Sequence, residues 1–203
     1  MKNKLHKFFI NCIVLLFLST TTVVFSSSNN ILDIFDLAKS GELKEALKRI
    51  DLVIEKKPKS SVAYFIKGYI QQHLKNFDSA IQFYTIAIKL DEKNGISSFA
   101  YSGRGNCWKA KWIFDKAVSD FTKVIELNPS NIIAYYDRAS VWFKLSKYQA
   151  ALNDYTQIIN INPCEIDAYA KRAIIFIKRG KWESALRDIK KIILLNSKFI
   201  PEK

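Results

Sequence analysis

At 203 residues, 49% of them hydrophobic, the chain is long enough to bury a core, which excludes a wholly disordered protein. A formal net charge of +13 favours an acidic partner or an anionic surface and says little about fold. Two histidines and three cysteines, with Cys12 near the N-terminus, exclude a zinc centre or a disulfide framework as the basis of the fold.

The first element, MKNKLHKFFINCIVLLFLSTTTVVFSSSNN, has a lysine-rich start, an apolar run over residues 8–18 and small polar residues suited to cleavage near 26–28. This is the pattern of a secretory signal peptide, and residues 1–26 are assigned to it. Val23, Val24 and Phe25 extend the apolar stretch to 18 residues, so an uncleaved signal anchor is the alternative. The residues before Cys12, Phe9-Ile10-Asn11, do not resemble a lipobox. Without Lys2, Lys4 and Lys7 the net charge falls to +10. Either outcome places the remainder across a membrane, periplasmic or secreted, or held there by the anchor.

The rest of the chain repeats with a period of 34 residues. Pro129 and Pro163 are 34 apart, and the same shift aligns Ala117, Ala151 and Ala185; Phe121, Tyr155 and Ile189; Tyr101, Tyr135 and Tyr169; and Trp108, Trp142 and Phe176. Ala46 and Ala80 continue the series, with a three-residue insertion at about Lys93-Asn94-Gly95. Five units result, at 27–60, 61–94, 98–131, 132–165 and 166–199, followed by a tail at 200–203.

Each unit is predicted to hold two amphipathic helices. In the fourth, Tyr135, Ala139 and Trp142 share one face, and Ala151, Tyr155 and Ile158 form a second stripe. Turns are expected at Ser40-Gly41, Lys75-Asn76, Ser146-Lys147 and Arg179-Gly180, and second helices should stop at Lys57-Pro58, Asn128-Pro129 and Asn162-Pro163. Small residues at Gly68, Gly105, Ala139 and Ala173 allow the two helices of a unit to meet closely. Arg104, Arg138 and Arg172 recur at one position, and Asp120, Asp154 and Asp188 at another. They are expected to pair within or between units and so register them, in preference to lining a ligand site.

These positions resemble the tetratricopeptide repeat. The match runs through Tyr101, Arg104, Gly105, Trp108, Ala117, Phe121, Val124 and Pro129 in the third unit, and Tyr135, Arg138, Ala139, Trp142, Ala151, Tyr155, Ile158 and Pro163 in the fourth. The first unit is degenerate over residues 31–38, and Ser197 stands where proline is usual in the last. The resemblance implies an all-α fold: an α-solenoid of about five stacked helix-turn-helix repeats behind the N-terminal hydrophobic segment.

Gly105-Asn106-Cys107-Trp108 also resembles the active-site signature of papain-like cysteine proteases. Such chemistry needs an imidazole to take the thiol proton, yet His6 lies in the signal segment and His73 one repeat away from Cys107. Cys107 therefore reads as a packing residue, and no enzyme activity, cofactor or metal is expected.

The resemblance implies a protein-binding scaffold whose concave face is lined by first helices. Groove positions carried over from the family are Phe65, Tyr69 and Gln72 in the second unit, Ser102, Asn106 and Lys109 in the third, Tyr136, Ser140 and Phe143 in the fourth, and Ile174 and Lys178 in the fifth. This lining suits an extended peptide. The family's carboxylate clamp is not matched: its positions hold Phe65, Tyr69, Gly103, Ile133 and Asp137, or one unit later Ser102, Asn106, Asp137, Asp167 and Lys171.

Two departures point to further contacts. Trp112-Ile113 puts apolar residues at a turn that is polar in the other units, a candidate partner contact unless the indole folds onto Phe114. The edge built from Leu186, Ile189 and Ile193 has no following repeat to cover it and invites dimerisation, unless Lys190-Lys191 makes it a polar cap. Residues 166–203 carry a net charge of +6, an expected dock for an acidic protein or an anionic surface. Nucleic acid fits poorly, since motifs of its common binding folds are missing. Two functions follow as expectations: an exported, non-enzymatic adaptor binding a peptide or protein in its groove, or a membrane-tethered assembly factor of an envelope complex with a basic C-terminal docking surface.

Overall fold

The computed structural model describes residues 30–91 and 95–197, and among these every regular element is a helix. The signal segment 1–26, most of the insertion near residue 94 and the tail 200–203 lie outside the described residues. Among the described residues ten helices form five consecutive pairs: α1 (Ile31–Ser40) with α2 (Leu43–Lys56), α3 (Ser61–His73) with α4 (Phe77–Leu90), α5 (Ile96–Ala110) with α6 (Phe114–Leu127), α7 (Ile132–Lys144) with α8 (Tyr148–Ile161), and α9 (Ile166–Lys178) with α10 (Trp182–Ser197). Contacts divide the chain into two units after Gly103, within α5.

One turn is used five times. Gly41, Lys75, Trp112, Ser146 and Gly180 occupy the same repeat position, and all have left-handed backbone, with φ of 96°, 63°, 62°, 57° and 69°. The next residue's N–H then reaches back to the first helix: Glu42 to Leu37, Asn76 to Gln71, Ile113 to Trp108, Lys147 to Trp142 and Lys181 to Phe176, at 2.8–3.0 Å. That 6→1 bond is the Schellman closure, which caps carbonyls the helix leaves open. Only two of the five residues are glycine, so the geometry is imposed by packing of the pair and not by glycine alone.

Helix starts and stops follow local chemistry. Asn30, Ser60 and Asn131 cap α1, α3 and α7 through side-chain oxygens that accept from backbone N–H groups of Leu32, Ala63 and Ala134. The second helices α2, α4, α6 and α8 each run 14 residues, with Pro58, Pro129 and Pro163 two positions beyond α2, α6 and α8, and α10 spans 16 described residues.

The core is built from small residues facing large ones. Ala46, Ala80, Ala117, Ala151 and Ala185 are all buried. In the first unit Tyr84 of α4 lies against Gly68 and Gly103, and a Cβ at Gly68 would fall 2.8 Å from its ring. In the second unit Phe121 of α6 fills the space beside Gly105, again at 2.8 Å from a Cβ there. These distances leave no room for a methyl group, which is why glycine occupies both positions.

Candidate functional site

The first helices carry the residues expected to line a groove, and the two units present them differently. In the first unit the face is aromatic: Tyr69 lies 5.2 Å from Phe35 and 4.3 Å from His73, and Phe65 lies 6.5 Å from Phe35 and 6.3 Å from Phe99, ring centre to ring centre. Phe65, Tyr69, Gln72 and Ser102 are all half-buried. Burial pushes the Tyr69 hydroxyl above the usual phenol range. Gln72 is held from below, its Oε1 accepting from the Tyr84 hydroxyl at 2.7 Å.

In the second unit the face is polar and its members tie one first helix to the next. Lys109 Nζ of α5 donates to Asp137 Oδ1 of α7 at 2.6 Å. Its charge is therefore met from within the protein. Tyr136 Oη of α7 donates to Glu165 Oε1 at the start of α9 at 3.2 Å. Burial, and then the Glu165 carboxylate, push the Tyr136 hydroxyl far up. Ser140 is half-buried, and its Oγ donates to the Asp137 carbonyl of its own helix at 2.6 Å. Asn106 is half-buried on α5.

Phe143, Ile174 and Lys178 form the open end of this face. The Phe143 ring is half-buried against Tyr148, with centroids 5.7 Å apart, and Lys178 Nζ stands 5.7 Å above it. Ile174 and Lys178 are exposed, and Lys178 has no carboxylate partner among the described residues. An ammonium over an aromatic face, with an exposed aliphatic chain one helical turn away, can take a carboxylate and an apolar side chain together.

Trp112 is exposed at its turn and also lies against Phe114. The indole is 70% exposed, yet it leans on Phe114 at 5.6 Å and carries Lys144 Nζ 4.7 Å above its ring. Ile113 is half-buried beside it.

The recurring arginines do not line this face. Arg104, Arg138 and Arg172 make two-pronged ion pairs with Asp120, Asp154 and Asp188 of their own repeats, each with the shorter contact at 2.7 Å. Burial raises the pKa of Asp154 even though Arg138 pulls the other way. Arg138 and Arg172 also donate through Nη1 to Thr122 and Thr156 of the preceding repeat, at 3.0 and 3.1 Å. In the first unit the same position holds Lys67, which reaches back to Asp51 at 2.6 Å and lies 4.4 Å over the Phe83 ring. The threonine acceptors were missed from sequence, although their recurrence at one repeat position was visible.

Cys107 is fully buried, and burial pushes its thiol up to about 12. A nucleophilic cysteine needs access and thiolate character, and Cys107 has neither. Cys164 is exposed, and the two are not joined. In a Cys12→Ser background, titration with a thiol reagent at pH 8 should count one reactive thiol in the native protein and two in urea. Two fast thiols under native conditions would contradict the buried position of Cys107.

Family models of the tetratricopeptide repeat match residues 61–94 and 114–162. Among solved structures it is similar to MamA, with 19% identity, 86% of this chain and 98% of that chain covered, and a TM-score of 0.74. It is also similar to MamA 41-end from Desulfovibrio magneticus RS-1, with 14% identity, 83% and 94% coverage and a TM-score of 0.71. A third is YrrB, described as a TPR protein with an unusual peptide-binding site, with 18% identity, 83% and 86% coverage and a TM-score of 0.67. At these identities the likeness is one of fold. No curated protein matches the sequence.

Proposed function

We propose that this chain is a non-enzymatic protein-interaction scaffold that acts outside the cytoplasm and holds an extended, acidic peptide segment of a partner protein. Support for binding comes from the tetratricopeptide repeats and from the description of YrrB as having a peptide-binding site. The observation that carries the reading is the open end of the second unit's first-helix face. There Lys178 stands over Phe143 beside exposed Ile174, while Lys109 on the same face is already paired with Asp137. A peptide carboxylate is assigned to Lys178, an apolar peptide side chain to Ile174, and hydrogen bonding of the peptide backbone to Asn106. Trp112 is an additional contact of the same partner.

Export rests on the signal pattern of residues 1–26. A mature N-terminus near residues 27–29 is the expected result of mass spectrometry on the native protein. An intact Met1 would instead make the scaffold membrane-tethered, with its basic last repeat as the docking surface.

The binding reading is tested by immobilising the chain, recovering partners from extracts of the source organism, and titrating the recovered partner. Lys178→Glu and Ile174→Asp should each weaken that binding at least tenfold, while Lys44→Glu on α2 should leave it unchanged. A partner held equally by all three variants would remove this face from the site.

A further inference from the structure

Second helices inside the second unit hide one apolar stripe beneath the next first helix. On α6 the stripe is Phe114, Val118, Phe121 and Ile125; on α8 it is Tyr148, Leu152, Tyr155 and Ile159. Phe121 packs with Val141 of α7, and Leu152 and Tyr155 pack with Ala168 and Ile175 of α9. The equivalent stripe on α10 is Trp182, Leu186, Ile189 and Ile193, and these are 67%, 52%, 38% and 62% exposed. The same repeat position that is 0% exposed at Phe121 and 5% at Tyr155 is thus open at Ile189.

The order of residues along this stripe says what fits it. Trp182, Leu186, Ile189 and Ile193 follow one another at spacings of four, three and four, which reads the same in both directions. Two copies of α10 laid antiparallel therefore set Trp182 of one against Ile193 of the other, and Leu186 against Ile189, in four layers centred on the two-fold axis. The charges on the flank obey the same symmetry. Glu183 and Lys190 lie on one side of the stripe, seven residues apart, and the antiparallel register brings Glu183 of each copy beside Lys190 of the other. Both side chains are exposed, and neither has an ion-pair partner among the described residues. A parallel arrangement would forgo both matched pairs.

We propose that α10 is a self-association surface and that its occupant is α10 of a second copy of this chain, antiparallel, with two Glu183–Lys190 pairs framing the apolar layers. The interface is isologous, so one copy supplies all the complementarity the other needs. It leaves the first-helix face described above free, and two copies present two such faces on one assembly.

The test is the mass of the full chain by sedimentation in mild detergent, at about 0.3 M salt so that like charge on the two copies is screened. A dimer is expected at tens of micromolar. Ile193→Asp, an exposed substitution whose folding is checked by circular dichroism, should make the chain monomeric. Glu183→Lys and Lys190→Glu should each weaken association at least tenfold, and the double variant Glu183→Lys/Lys190→Glu should restore it. A double variant as weak as either single variant would overturn the antiparallel register. A dimer indifferent to Ile193→Asp would place association elsewhere. A monomer that dimerises only when residues 198–203 are deleted would show that the chain's own tail covers the stripe, and would equally overturn the proposal.

Discussion

Replacing Asp154 with alanine should cost about 3–5 kcal/mol of stability, measured by urea denaturation, because it leaves Arg138 partly buried without its carboxylate. Asp154 is buried, and the guanidinium approaches it twice, at 2.7 and 3.1 Å, while a third bond runs to Thr122 of the preceding repeat. The pair as a whole adds far less than its rupture costs. Burial pushes the Asp154 carboxyl up even beside Arg138, so desolvation already offsets much of the attraction. An apolar double replacement, Arg138→Met/Asp154→Leu, should therefore lose less than half of what Asp154→Ala loses. The complementary variant Arg138→Met has a pH signature. With its cation gone, the carboxyl's folded-state pKa rises further above the unfolded value. A group shifted in that direction contributes its stability below the unfolded pKa and loses it as pH rises through the folded pKa. Arg138→Met should accordingly lie closer to wild type at pH 5 than at pH 7. A deficit that grows on acidification would contradict the burial of Asp154.

The second large effect is expected at the glycine–aromatic contact of the third helix pair. Phe121→Ala should cost about 3–5 kcal/mol, since the ring is fully buried between α5, α6 and α7 and its loss leaves a cavity. Gly105→Ala tests the same contact from the other side. Alanine is favoured over glycine in a helix by about 1 kcal/mol, but its methyl would fall 2.8 Å from Phe121 Cε1, and a fully buried ring cannot retreat. Overpacking of this kind costs about 1–3 kcal/mol, so in the native background the substitution should be destabilising. In the Phe121→Ala background the obstruction is gone, and Gly105→Ala should become stabilising by about 1 kcal/mol. An effect of the same sign in both backgrounds would show that Gly105 is not set by Phe121.

The turn position shows how far local reading extends. Gly41 and Gly180 announce a left-handed residue by composition, but Lys75, Trp112 and Ser146 do not. Their place was legible only because the 34-residue period aligns them with the glycines. The conformation itself comes from the closure of each helix pair, which strains a non-glycine residue because the packed pair outweighs the strain. Trp112 read alone is an exposed apolar residue; read in the repeat, it is a turn that happens to be filled by an indole.

The groove positions show the opposite case. Periodicity placed Lys109 and Lys178 on first helices but could not tell that Asp137 meets Lys109 and that no carboxylate among the described residues meets Lys178. That difference depends on which neighbouring residue the rotation of the next helix brings within 3 Å. Likewise, the spacing of arginine and aspartate suggested a pairing within or between repeats, and the geometry selected the aspartate of the same repeat together with the threonine of the one before.

By itself the sequence determined the all-helical class, the five helix pairs and the small-against-large packing, because each depends on residue spacing along one chain. Only the tertiary structure decided that Cys107 is sealed from solvent, that the arginines are used up in structural pairs, that Lys178 is open where Lys109 is closed, and that the stripe on α10 is exposed. Those outcomes turn on burial and on contacts across distances of 16 to 30 residues, which a one-dimensional period aligns but does not bring together.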